Sequence, residues 1–332
     1  MELVVDWYNR LTTNMLTQIA IPRTAGGTIP YTNIGSVQNR GIDLGINFRD
    51  KKGDFRYQVG VNFGHYKNEV KKVAGNADFF FTDGTGLNSR IPNAGISVIS
   101  KVGYPISSFN GYVVEGLINT DAELKMHTGT GSVALGGLRF KDVNGDGKID
   151  GGDVTINGNP HPKLTGGLNI GVNYKNFDLN SFWFGSYGNE IFTGYWIQSY
   201  FMNFNANVLN NILENQGKVV DGKAYPKINQ NDRSSANAST FYIQDGSYLR
   251  MTNLQLGYTV PQSLVSKLGL SKARVYLQGQ NLLTLTKYFG TDPAISNANI
   301  GSGGNVNDGA MGIDNGNYPA NKVMNIGITL DF

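Results

Sequence analysis

Period-two alternation, repeated in segments long enough to cross a membrane, constrains this chain more than any other feature. Between Leu164 and Lys175 the even positions read Leu164, Gly166, Leu168, Ile170, Val172 and Tyr174, and the odd ones Thr165, Gly167, Asn169, Gly171, Asn173 and Lys175. Because successive side chains of a strand point to opposite faces, such a segment has one apolar face and one small or polar face. The same split recurs at Ile42–Phe48, at Phe55–Phe63 and at Met324–Phe332. Segments of about 9 to 11 residues with this pattern suit a transmembrane β-barrel, whose outside meets lipid and whose lumen is wet. A soluble antiparallel sandwich shares the period, but its solvated faces would carry far more Lys and Glu.

Composition narrows the choice. Charged residues make up 16% of the 332, against roughly 25% in ordinary soluble domains. No stretch reaches the ~18 consecutive apolar residues of a membrane helix. A hydrophobic fraction of 40% excludes disorder, and the 44 glycines follow no triplet period, which excludes collagen. The net charge of +3 comes from scattered residues, not a basic stripe, so nucleic acid is not an expected partner. Without cysteine there are no disulfides, cysteine zinc sites or thiol nucleophiles. Met1–Trp7 has neither the basic nor the apolar region of a signal peptide.

Strands are expected at about 2–12, 35–49, 54–70, 162–175, 177–187, 246–259, 273–287 and 322–332. In 246–259 the apolar phase shifts from Leu249 and Met251 to Leu254, Leu256 and Tyr258, which predicts a bulge near Asn253. In 177–187, Phe182 and Phe184 crowd the face opposite Phe177, Leu179 and Trp183. The connections alternate. Short ones lie at 50–53, 175–176 and 260–272, long ones at 13–34, 71–161, 188–245 and 288–321. An up-and-down outer-membrane barrel has this rhythm, with short periplasmic turns and long extracellular loops. It sends the last strand inward and leaves Phe332 at the periplasmic rim. About eight strands would close a barrel too narrow to seat so much loop, so an open, curved segment of a larger barrel is expected.

One ion-binding pattern stands out. Asp142, Asn144, Asp146, Lys148 through its carbonyl, Asp150 and Asp153 fall in an EF-hand-like loop, with Gly147 at the sharp turn. Alternating carboxylate and amide oxygens can surround calcium. Against this, Asp153 stands where a longer Glu is usual, no flanking helices are evident, and an Asp/Asn/Gly-rich turn can stabilise itself by local side-chain bonds. Catalytic constellations are absent: His65, His127 and His161 lie in unrelated contexts, and the near P-loop at 217–224 ends in Ala224 instead of Ser or Thr. No enzymatic activity is expected. Among the aromatics, Trp196, Tyr200 and Phe201 are candidate stacking surfaces for a sugar or peptide, the alternative being a loop core or an interfacial girdle.

Several blocks together carry a family likeness. Tyr31–Gly41 (YTNIGSVQNRG), Lys141–Asp150 (KDVNGDGKID), Gly158-Asn159-Pro160 with Pro162, Tyr248–Leu254 with Leu256-Gly257-Tyr258, and Gly279–Thr284 with Tyr288, Gly290, Asp292 and Pro293 follow one another along the chain. In this order they resemble the SusC/RagA-type TonB-linked outer-membrane transporters. The resemblance implies about eight strands of a 22-stranded barrel, plugged by an N-terminal domain, that imports oligosaccharides or peptides. It also implies a SusD-like surface lipoprotein over the loops, and an inner-membrane TonB complex pulling on a TonB box; neither plug nor TonB box is found in this sequence. Loop 188–245 would face the lipoprotein or substrate. A self-contained small pore or adhesin, and a soluble carbohydrate-binding module, remain alternatives. Pairing of residues 2–12 with 322–332 would mark the small closed barrel.

Overall fold

The computed structural model describes residues 1–18, 31–73, 79–82, 98–201, 210–229, 231–295 and 311–332. Eight strands form one antiparallel sheet, here called the wall: Glu2–Gln18, Tyr31–Lys52, Phe55–Lys72, Leu164–Tyr174, Phe177–Tyr187, Tyr248–Thr259, Lys272–Thr286 and Val323–Asp331. Each is hydrogen-bonded to the strands next to it in this order, giving an up-and-down meander. The first and last strands lie at opposite edges, so the sheet is open among the described residues. That excludes the small closed barrel on the criterion given above.

The register explains why alternation was so legible. Arg49, Gln58, Gly171, Asn180, Gln255, Gln278 and Asn325 face one another across seven successive strands. One step along the strands, Tyr57, Val172, Leu179, Leu256, Leu277 and Ile326 form an apolar row. The strands in these rows therefore contribute polar atoms to one face and apolar atoms to the other. The apolar face is left uncovered; Ile326 is 76% exposed and Met324 81%. A soluble module of this chain would have to leave that surface in water. No helix among the described residues is long and apolar enough to cross a membrane.

Glycines on the polar face have a specific use. Asp43, Asn47, Asn62, Gln58, Asp178 and Tyr276 directly face Gly64, Gly60, Gly167, Gly171, Gly257 and Gly327. In each pair the larger side chain occupies the space a Cβ on the glycine would need. The polar side chains thus lie flat on the neighbouring strand, and the face is flush. The glycines are filled by neighbours, which the sequence, read strand by strand, does not show.

The strand ends differ from expectation in the first three strands. Three ladder pairs, Leu16–Asn33, Thr17–Thr32 and Gln18–Tyr31, extend pairing into the expected 13–34 loop, and the second strand reaches 22 residues. That is about twice what a bilayer crossing needs, so the extension projects past the apolar belt. It is held by a small cluster of Val37, Val70 and Val73 with Met15 and Ile106, and by backbone bonds between Val70 and the 103–104 turn. The bulge falls at Thr252, beside the expected Asn253: Phe182 and Trp183 face Asn253 and Met251. On the other side Met251 and Asn253 face Leu283 and Gln280, and Asn281 takes a left-handed φ of 52°.

Turns at Gly53-Asp54, Lys175-Asn176 and 260–271 lie at one end of the wall, and the long connections at the other. Those long connections are not separate loops. Val98, Phe109, Leu117, Phe140 and Ile149 from the second, Phe192, Trp196, Phe241 and Tyr242 from the third, and Ile313 from the fourth share one hydrophobic core. We call this body the cap. A parallel backbone bridge between Tyr112 and Ser239 links it internally, with Tyr112 N–H donating to Ala238 O and Thr240 N–H to Tyr112 O.

Candidate functional site

The 142–153 loop folds on its own side chains. Asp142 accepts from Gly145 and Gly147 N–H at 2.6 and 2.8 Å, Asn144 Oδ1 from Asp146 N–H at 2.9 Å, and Asp146 Oδ1 from Lys148 N–H at 2.8 Å. Gly145 and Gly147 supply the left-handed φ angles, 77° and 80°, that these tight turns require. Asp150 accepts from Gly152 N–H and opens a short 3₁₀ turn over Gly151–Asp153. Asp153 is fully buried and closes the loop, accepting from Val143 and Asp150 N–H at 2.8 and 3.0 Å. Burial alone would raise its carboxyl, but the backbone donors outweigh that and hold it below the usual carboxylate range. A shorter Asp suits this role better than Glu. Among the described residues no three His, Asp or Glu side chains converge in a way that could hold a metal ion.

Trp196 is 1% exposed and belongs to the cap core. Its ring meets Phe241 and Phe289 at centroid distances of 5.6 and 6.3 Å. The ammonium of Lys223 sits 4.2 Å from its centre and 4.9 Å from that of Phe241. As a stacking platform for a ligand, Trp196 is therefore corrected to a buried core residue. It lies in the helix Gly194–Phe201, which also contains Tyr200 and Phe201; their side chains lie outside the described residues.

Sequence reading missed the ties between cap and wall. Arg250, on the sixth strand, donates from Nη2 to Asp292 Oδ1 at 2.5 Å and from Nε to Thr284 Oγ1 at 3.0 Å. Asp292 also accepts from Ala294 and Ala320 N–H, so one carboxylate gathers both ends of the 288–321 connection. Tyr288 O–H donates to the buried Asp314 at 2.5 Å. His161 bridges Tyr66 O–H, at 3.1 Å, and Ile106 O, at 2.9 Å. Burial pushes its imidazole below the usual range, against the Ile106 bond. A signal was available: Arg250 and Asp292 sit in two of the sequence blocks that carry the family likeness.

On the polar face a cleft of about 440 Å³ lies beside the rings of Phe182 and Phe184, with Asp6, Asp43, Asn62 and Thr165 around it. Phe182 and Phe184 are partly exposed there, the second 6.2 Å from Tyr248. Amides, carboxylates and phenyl faces together can hold a polar ligand by hydrogen bonds and by stacking.

No family model matches the chain. Among curated proteins it is 32% identical over 338 residues to TonB-dependent receptor P3 of Formosa agariphila, matching 100% of this chain and 32% of that protein. It is 27% identical over 334 residues to TonB-dependent receptor SusC of Bacteroides thetaiotaomicron, matching 99% of this chain and 30% of that one. Among solved structures, the RagAB peptide importer in its closed-closed state superposes with a TM-score of 0.73 at 26% identity, over 99% of this chain and 33% of that one.

Over its whole length the chain is similar to TonB-dependent receptors of the SusC/RagA type.

It spans about a third of the length of the SusC/RagA-type relatives it matches. The order of wall strands, the open edges and the long loops at one end fit a barrel segment of such a receptor.

Proposed function

We propose that this chain forms part of the barrel wall and of the outer cap of an outer-membrane TonB-dependent importer. The cargo is an oligosaccharide or peptide, and a SusD-like surface lipoprotein meets the cap. The observation that carries the reading is the register: a polar row runs across seven successive wall strands and an apolar row across six, while three long connections pool into one body at one end. Such a wall separates lipid from a wet lumen, and such a cap offers a folded surface to a partner. The similarity to SusC and to the RagAB peptide importer supports import; TonB coupling would act through parts outside this sequence. Passage is gated, and no residue performs covalent chemistry.

The absence of cysteine provides a direct test. A single cysteine at Lys125, exposed in the helix Asp121–Met126 of the cap, should react with an impermeant maleimide on intact cells. One at Asp54, exposed in a short turn, should react only after the outer membrane is opened. Equal labelling of both on intact cells would refute the orientation. Deleting 210–229 from a receptor that contains this chain should abolish uptake of its oligosaccharide or peptide while insertion persists; unchanged uptake would remove the cap from the import path.

A further inference from the structure

One seat of the cap on the wall is the turn 102–107, which joins the cap strands Val98–Lys101 and Ser108–Gly111. It docks on the extended end of the third wall strand: Val70 N–H donates to Tyr104 O at 2.8 Å and Gly103 N–H to Val70 O at 2.9 Å. Ile106 has both of its backbone groups held there. Its N–H donates to Asn68 Oδ1 at 2.8 Å, and its carbonyl accepts from His161 Nε2–H at 2.9 Å. His161 lies just before the fourth wall strand, so this last bond ties the turn to a second part of the wall.

The niche of His161 is built for the neutral ring. A carbonyl can only accept, so Nε2 carries the proton, and Nδ1 accepts from Tyr66 O–H at 3.1 Å. The two rings meet edge-on with 5.9 Å between centroids, and His161 is 6% exposed. A proton added at Nδ1 would face the Tyr66 hydroxyl and end its donation. The surrounding elements offer no compensating charge. Tyr66 and Tyr8 face Gly41 from either side. On the third strand Glu69 is taken by Lys67 and Lys71, and His65 donates to Lys163 O from the opposite face. Glu190 of the cap accepts from Asn159 N–H at 2.7 Å, the turn adds only the exposed Tyr104, and Lys163 brings a further positive charge. Among the described residues no carboxylate lies within ion-pair distance of His161.

We propose that His161 is an acid-released latch between cap and wall: when its imidazole takes up a proton, the ring leaves the niche and the 102–107 turn loses its tie to the fourth strand. A buried imidazolium without a carboxylate recovers its hydration only in water. A cleft of about 330 Å³, lined by Tyr104 and Pro105 of the turn and by Asn159 and Lys163 beside His161, gives it room. Its departure frees Ile106 O and the Tyr66 hydroxyl together. Burial holds the seated imidazole below the usual histidine range, so the released ring binds the proton more tightly. The latch is therefore fully closed above about pH 6.5 and opens as pH falls toward the lower folded value. Such a cap is held firmly in neutral surroundings and loosened in acid ones.

The test uses the full chain in dodecyl maltoside and follows hydrogen exchange by mass spectrometry at about pH 5 and about pH 7.5, corrected for intrinsic rates. In wild type, peptides over 98–111 should exchange faster at the lower pH, by up to about tenfold per pH unit below 6.5, while 164–187 stays protected. His161→Gln keeps a donor for Ile106 O and an acceptor for Tyr66 O–H but takes up no proton, and should exchange equally at both. In the wild-type chain labelled with nitrogen-15 histidine, a ring of the Nε2–H tautomer should titrate in step with the exchange, which decides the matter even if the variant does not fold. Absence of a pH effect over 98–111 in wild type overturns the proposal. So does the same acid response in His161→Gln, which would move the effect to His65 or to carboxylates, or a His161 ring that protonates while 98–111 stays protected.

Discussion

Arg274 grips Asp178 across the bare backbone of Gly257. Nη2 donates to Oδ2 at 2.6 Å and Nε to Oδ1 at 3.0 Å, linking the fifth and seventh wall strands over the sixth. The bidentate geometry needs the middle strand to carry no side chain at this point. A Cβ on Gly257 would fall on both charged groups.

From this follows an order of damage among glycine substitutions. Gly257→Ala meets only the ends of two flexible side chains, which can part; the ion pair is lost and the wall remains. Gly41→Ala meets the carbonyl oxygen of His65, which is backbone and cannot yield, as well as the Tyr8 ring. Overpacking of that kind costs about 1–3 kcal/mol. Urea unfolding in detergent should therefore place Gly41→Ala well below wild type and Gly257→Ala between the two.

Arg250 and Asp292 form the cap's main buried ion pair with the wall, each side chain about a tenth exposed. Removing one partner strands the other, a loss of about 3–5 kcal/mol. Arg250→Met should speed hydrogen exchange at the Ala294 and Ala320 amides, which donate to Asp292, and leave the wall amides protected. Pairing Arg250→Met with Asp292→Leu should restore much of the loss. Burial alone would raise the Asp292 carboxyl, but the two amides and Arg250 hold it below the usual range. Its contribution is thus complete above about pH 4, the ordinary carboxylate value, and fades as pH falls through the lower folded value.

Lys223 should give the cap a second pH response of the same sign, at alkaline pH. Burial lowers its ammonium to about 8, while an unfolded lysine titrates near 10.4. Between these values the unfolded chain holds the proton more tightly, so stability rises as pH increases from about 8 to 10. The ring of Trp196, 4.2 Å below the charge, offsets part of the burial cost. Thermal melts followed by tryptophan emission should show a higher Tm at pH 9.5 than at 7.5 for wild type, and a flat profile for Lys223→Met.

The 142–153 loop should behave as a self-bonded turn. Its carboxylates already accept from the loop's own amides, and no three of them converge. Calorimetric titration with calcium should give equal, negligible heats for wild type and Asp142→Ala. Heat in wild type alone would establish a cation site.

The wall was readable because most of its strands repeat a two-residue rule, and the rule survives pairing: Leu179, Leu256 and Leu277 alternate alone and align together. The cap was not readable. Phe109, Trp196 and Ile313 reach one core from three distant connections, and no local period connects them. Trp196 could be read as a stacking surface or as loop core, because its burial depends on Phe241 and Lys223. The ion pair of Arg250 and Asp292 depends in the same way on two segments that meet only after folding. The bulge was placed within one residue because it leaves a local trace, the phase change after Met251.

The shared cap core also bears on how such a receptor could change its cargo. The second, third and fourth long connections are tenants of a common interior, so exchanging one of them between receptors would leave its neighbours with unmatched surfaces. The unit of inheritance for specificity is then the whole cap, grafted at the wall strands, whose regular rows accept foreign neighbours far more readily.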